Sequence, residues 1–188
     1  MRYIIAVFVF AFSLFSYGAS EEADLLSKLP KELEGFQRKE LTEFEDRKFG
    51  AALGYSRESA GGLEQLTLYV YDAGYGPIAD GLASPVVEKV FSVAISDIYY
   101  YEKQGVYSGV EASATNRVKL DSGYEAYWVG LSYGFDVSGK GDYIKMYSYM
   151  LVTGTNKYIL KIRLTSDTDL TGEKLVSIAN SALLSFGE

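Results

Sequence analysis

Residues 66–81 read LTLYVYDAGYGPIADG, and the fold turns on how they are taken. Leu66, Leu68 and Val70 alternate with Thr67, Tyr69 and Tyr71, the period of a strand with two different faces. The run breaks at Asp72-Ala73-Gly74-Tyr75-Gly76-Pro77, and a helical pattern soon begins. If the glycines cradled a phosphate, this would be a parallel strand–loop–helix unit. Three features oppose that. Pro77 removes a backbone donor, the glycines at 74, 76 and 81 do not fit Gly-x-Gly-x-x-Gly, and the helix starts only after Ser84. The stretch therefore predicts a strand-to-helix connection whose glycines permit positive φ. It still gathers Asp72, Tyr75 and Asp80 at a strand end, the best single place for a ligand or partner.

Downstream, Ser84 caps and Pro85 opens a helix over 84–103, and Gly105 closes it. Its apolar stripe is Val87, Val90, Phe91, Ala94, Ile98 and Tyr101. Strands are expected over 106–120, 123–135, 143–153 and 157–165, with Gly154-Thr155-Asn156 joining the last two. A final helix spans about 171–185, carries Leu175, Ile178, Ala179, Ala182 and Leu183 on one face, and is capped by Thr171 or Asp169. Upstream, strands are expected near 35–44, 49–57 and 63–72, after a short helix over 21–29 that Pro30 ends. Short turns between successive strands make them antiparallel. The predicted class is α+β. It is a single antiparallel sheet of about six to seven strands, with a long helix after strand three and a C-terminal helix packed on it.

The quoted run, continued through SPVVEKVFSVAISDI and GVYSGV, is similar to a family of uncharacterised exported proteins of Gram-negative bacteria. The order of elements across 33–186 also resembles the PsbP and DcrB class of α/β/α sandwiches. These resemblances imply an exported protein and bring no catalytic residues with them.

The N-terminus has the form of a secretory signal. Arg2 precedes an apolar run from Ile4 to Phe15, small residues follow through Ser20, and Glu21-Glu22-Ala23-Asp24 is acidic. The expected organisation is a signal over 1–20 and one domain over 21–188, periplasmic or alternatively secreted, with no transmembrane span after cleavage. Loss of Arg2 leaves 17 basic residues of the original 18 against 25 acidic ones, a net charge of −8. Such a balance opposes nucleic-acid binding and suits a basic protein partner.

Histidine and cysteine are both absent from the 188 residues. That excludes serine–histidine and cysteine–histidine catalysis, thiol redox chemistry, the usual zinc sites and a lipid-anchored N-terminal cysteine. No cofactor and no metal are expected. Gly134–Gly141 imitates a phosphate loop but has glycine after Lys140, and Asp167–Gly172 imitates a calcium loop but would need a carboxylate at Ile178.

Tyrosine, by contrast, is abundant, at 17 residues. Tyr99, Tyr100 and Tyr101 end the long helix, with Tyr101 expected on the sheet. Tyr143, Lys145, Tyr147 and Tyr149 share one strand face, and Lys157, Lys161 and Arg163 share a face of the next strand. A tyrosine-rich face with lysines suits a peptide, glycan or protein. The expected function is non-catalytic binding of a protein or envelope component, through Asp72, Tyr75, Asp80, Tyr99, Tyr100 and Tyr147. The alternatives are an immunity-type inhibitor of a periplasmic toxin and a carboxylate-dependent enzyme.

Overall fold

A computed structural model describes residues 20–59, 62–169 and 172–187. The elements run α1 (Glu21–Ser27), β1 (Glu32–Leu33), β2 (Phe36–Glu43), a 3-10 turn (Arg47–Phe49), β3 (Ala51–Ser59), β4 (Gly62–Tyr71), α2 (Pro85–Lys103), β5 (Tyr107–Ala112), β6 (Asn116–Lys119), β7 (Glu125–Asp136), β8 (Tyr143–Thr155), β9 (Tyr158–Ser166) and α3 (Gly172–Phe186). Residues 1–19, all but the last residue of the signal expected over 1–20, lie outside the described residues. All nine described strands form one antiparallel sheet, ordered β1-β2-β3-β4-β9-β8-β7-β5, with β6 also paired to β7. The class is α+β.

The sheet divides two apolar layers. Leu53, Leu66, Leu68, Leu151, Leu160, Ile162 and Leu164 meet α1 and α3 on one face. Val129, Leu131, Met150, Val152 and Ile159 meet α2 on the other. Helix α2 starts as its sequence dictates: the Ser84 hydroxyl accepts the Val86 N–H at 3.3 Å and Pro85 is the first helical residue. Val87, Val90, Phe91 and Ile98 are buried, and Phe91 stacks on Tyr127 with ring centroids 5.4 Å apart. Each such side chain contributes about 1.5–3 kcal/mol through the area it removes from water. Tyr101 departs from the expected stripe. It is 46% exposed and makes edge contacts with the Tyr100 and Tyr107 rings.

Two further expectations need correction. The strand count is nine rather than six to seven, because β1 adds a two-residue pairing and the run 106–120 splits into β5 and β6. Gly109, at φ +61°, sits where the β5–β7 register shifts, and the Asn116 side chain turns back to the Ala114 carbonyl at 2.8 Å. An outer strand has one partner, so such breaks cost one ladder only. The Glu102 carboxylate on α2 then accepts the Val110 N–H at 2.8 Å.

The second correction concerns the β8–β9 hairpin. Its turn is Asn156-Lys157, both at positive φ (51° and 73°), with Thr155 paired to Tyr158. Two-residue hairpin turns require that backbone. Gly154 instead lies in the strand, where a side chain would run into the Ala79 carbonyl. This register sets even residues of β8 opposite odd residues of β9, as in Met150 with Arg163 and Val152 with Lys161. Tyr147 and Tyr149 therefore lie on the α3 side, and Lys161 and Arg163 on the α2 side. Lys157 belongs to the turn. No single face unites the β8 tyrosines with the β9 cations.

Candidate functional site

The loop after β4 is built into the sheet's end. Ile78 donates its N–H to the Lys157 carbonyl at 2.8 Å, and Gly81 and Gly154 exchange backbone bonds at 2.9 and 3.0 Å. Asp72 accepts the Gly74 N–H at 2.8 Å, closing a local turn. Asp80 bridges three segments: one carboxylate oxygen accepts the Asn156 N–H at 3.0 Å and the other accepts the Tyr124 hydroxyl at 2.9 Å. That bond to Asp80 raises the Tyr124 hydroxyl above its ordinary pKa. Of the three loop residues, Tyr75 presents the most open ring, 48% exposed beneath the Lys89 ammonium.

The six sequence-selected residues fall in three places. Asp72, Tyr75 and Asp80 precede the N-terminus of α2. Tyr99 and Tyr100 lie on its outer surface near the C-terminus, roughly 20 Å further along at 1.5 Å per residue. Tyr147 sits on the opposite face of the sheet.

Around Tyr147 the α3 side forms an open shelf. Gly109, Glu111, Ser132, Gly134, Tyr143 and Lys145 line a shallow depression of about 280 Å³. Its floor is made of small residues for a steric reason. A side chain at Gly130 would press on the Tyr149 ring at 3.2 Å, and one at Gly134 on Tyr143 at 3.1 Å. Glycine at both positions lets those rings lie across β7. Tyr143 is 42% exposed and anchors its hydroxyl on the Gly105 carbonyl at 3.1 Å, while the Lys145 ammonium sits over the Tyr147 ring at 5.2 Å.

The imitation motifs resolve into turns. In 134–141, Asp136 accepts the N–H groups of Ser138, Gly139 and Gly141 at 2.9–3.0 Å. The amides that would hold a phosphate are thus taken by a carboxylate, and those bonds, Gly141 foremost, hold Asp136 below the usual range. In 167–172, Asp169 accepts the Tyr149 hydroxyl and Ile178 is fully buried; Thr171 lies outside the described residues. Among the described residues, no group of three carboxylates is placed to hold a metal ion.

A second polar region lies on the α2 side, along the central strand β9. Lys161 and Arg163 are half-buried there, between Tyr69 and Thr67 of β4 and Val152 and Met150 of β8. Arg163 donates from Nε to the Ser148 hydroxyl and from Nη2 to the Tyr133 hydroxyl, both at 2.9 Å. The Lys161 ammonium lies 4.2 Å from the Tyr69 ring centroid and 5.5 Å from that of Tyr71. Tyr107 lies tilted against Tyr133 with ring centroids 4.3 Å apart and hydrogen-bonds with Arg163, extending the aromatic lining to the edge strand. Burial and the neighbouring Arg163 charge push Lys161 down to about 8, against a partial pull from Asp97 on α2. Burial also pushes the Tyr71 and Tyr133 hydroxyls up, with Arg163 pulling against the latter.

Parity within β9 made this region visible in the sequence, since Lys161 and Arg163 interrupt a face that Ile159 begins. Their burial depended on β9 being central, which the sequence did not reveal. No family model matches the chain, and no curated protein matches it in sequence.

Proposed function

We propose that this is an exported, non-catalytic binding protein of the cell envelope, released by cleavage near residue 20, that engages a protein or other envelope component through the tyrosine shelf. The observation that carries the reading is the shelf itself. Tyr143 and Lys145 stand over a floor of glycine and serine, and the Tyr147 ring lies beneath the Lys145 ammonium at its edge. Aromatic rings with a polar tip supply contact area at low entropic cost, and a glycine floor lets a partner's backbone or a sugar ring approach closely.

The absence of histidine and cysteine from the sequence supports a non-catalytic role. The acidic balance of the mature chain favours a basic partner and keeps the toxin-inhibitor reading as the second choice.

The test is capture from an envelope extract with immobilised wild-type protein and with Lys145→Ala/Tyr147→Ala. The wild type should retain a discrete partner that the variant loses, with unchanged circular dichroism. Retention of the same material by a folded variant contradicts the reading. Mass spectrometry of the mature N-terminus checks cleavage: a chain beginning at Met1 rules out processing near residue 20.

A further inference from the structure

Lys161 and Arg163 occupy costly positions. They are successive same-face residues on a strand with neighbours on both sides, where the preceding position, Ile159, is apolar and fully buried. Cations in such a place are ordinarily paired with a carboxylate. Among the described residues, the ion pairs are Lys48–Asp46, Arg57–Glu64, Lys157–Glu21 and Lys174–Glu64, and none involves Lys161 or Arg163. Their surroundings on β4, β7 and β8 are Thr67, Tyr69, Tyr71, Tyr133, Ser148 and Met150, which carry no negative charge. Asp97 reaches Lys161 only through its field, from an exposed position on α2.

The two cations are oriented and reachable. Ser148 and Tyr133 hold one edge of the Arg163 guanidinium, and the Tyr107 hydroxyl shares in its hydrogen bonding, so the planar group is held in one orientation. The ammonium of Lys161 has rings beside it and makes no side-chain hydrogen bond with another described residue. Gly54, Ser56, Gln65 and Thr67 on the adjoining strands are only half-buried, so the face opens toward β3 and β4.

We propose that Lys161 and Arg163, walled by Tyr69, Tyr71, Tyr107 and Tyr133, form a binding site for a phosphate-type oxyanion. A planar guanidinium fork beside a compact ammonium matches a tetrahedral group with several acceptor oxygens. The tyrosine hydroxyls add neutral donors, and the ring faces suit the organic body that carries the group. Bound there, the anion supplies the negative charge the fold withholds. This site lies on the opposite side of the sheet from the tyrosine shelf and stands independently of it.

The test is calorimetric titration of the purified protein with inorganic phosphate against chloride at matched ionic strength. Parallel arms use glycerol phosphate and vesicles of phosphatidylglycerol or phosphatidylcholine. Saturable phosphate binding is expected, weakened at least about tenfold in Lys161→Met, the loss of one charge-assisted bond. Arg163→Met should do the same. Because Arg163→Met strips a partner from Ser148, Tyr133 and Tyr107 and so puts the fold itself at risk, Lys161→Met is the deciding variant. Binding to phosphatidylglycerol alone among the vesicles, lost in Lys161→Met, assigns the phosphate to a lipid headgroup; binding in the soluble arms only assigns it to a free phosphate or phosphomonoester. Tyr147→Ala should bind phosphate as the wild type does, which separates this site from the shelf. No saturable phosphate response beyond that of chloride, or equal affinity in Lys161→Met, overturns the proposal.

Discussion

The two faces of the sheet treat buried charge differently. On the α3 side Glu64, 2% exposed, accepts Arg57 at 2.6 Å and lies 3.5 Å from Lys174, and both cations sit 4.8 Å from the Phe36 ring centroid. That cluster is closed by its own carboxylate. On the α2 side Lys161 and Arg163 have aromatic rings and hydroxyls but no carboxylate in ion-pair reach among the described residues. Rings and hydroxyls can hold a cation in place, yet they do not cancel its charge. One cluster thus completes the fold, and the other leaves a charge for something outside the fold to complete.

Substitutions can break this contrast in order of size. Phe91→Ala should cost about 3–5 kcal/mol in chemical denaturation, because its ring fills the α2 interface against Tyr127. A negligible loss would mean that α2 does not hold this face of the sheet together. Glu64→Gln should cost about 2–4 kcal/mol, somewhat below a fully buried pair because Arg57 is 31% exposed. An unchanged midpoint would remove the structural role assigned to that carboxylate.

Lys161→Met should move stability the other way, gaining about 1–2 kcal/mol at pH 7. The sign follows from linkage. Lys161 titrates near 8 in the fold against an ordinary 10.5, so between those values the unfolded chain binds more protons. The penalty is full below pH 8 and is relieved as pH rises toward 10.5, so the advantage of the methionine should fade across that window. A variant that is destabilised at pH 7 would place Lys161 among ordinary supporting residues. Smallest of all, Asp72→Ala/Tyr75→Ala should cost under about 1 kcal/mol, since one local turn bond is lost. Unfolding of that variant would make the loop a structural element throughout.

Much of the fold was legible because local signals agreed. Ser84, Pro85 and Gly105 bounded α2, and the alternation of Leu66, Leu68 and Val70 marked β4 and the face of it that is buried. The site was less so. Alternation tells which residues of one strand share a face, but which face matches that of the next strand depends on the turn. Reading Gly154 as turn residue concealed that Asn156-Lys157 makes the reversal, and with it that the β8 tyrosines and β9 cations diverge. The role of Asp80 was equally hidden, since its partners Tyr124 and Asn156 come from distant segments.

The contrast between the faces rests on Lys161 being charged, half-buried and uncompensated, and NMR titration of its side-chain ammonium tests that most directly. A midpoint near 8 in chloride, moving upward when phosphate is added, is the expected result. A midpoint at the ordinary lysine value, indifferent to phosphate, would contradict the account.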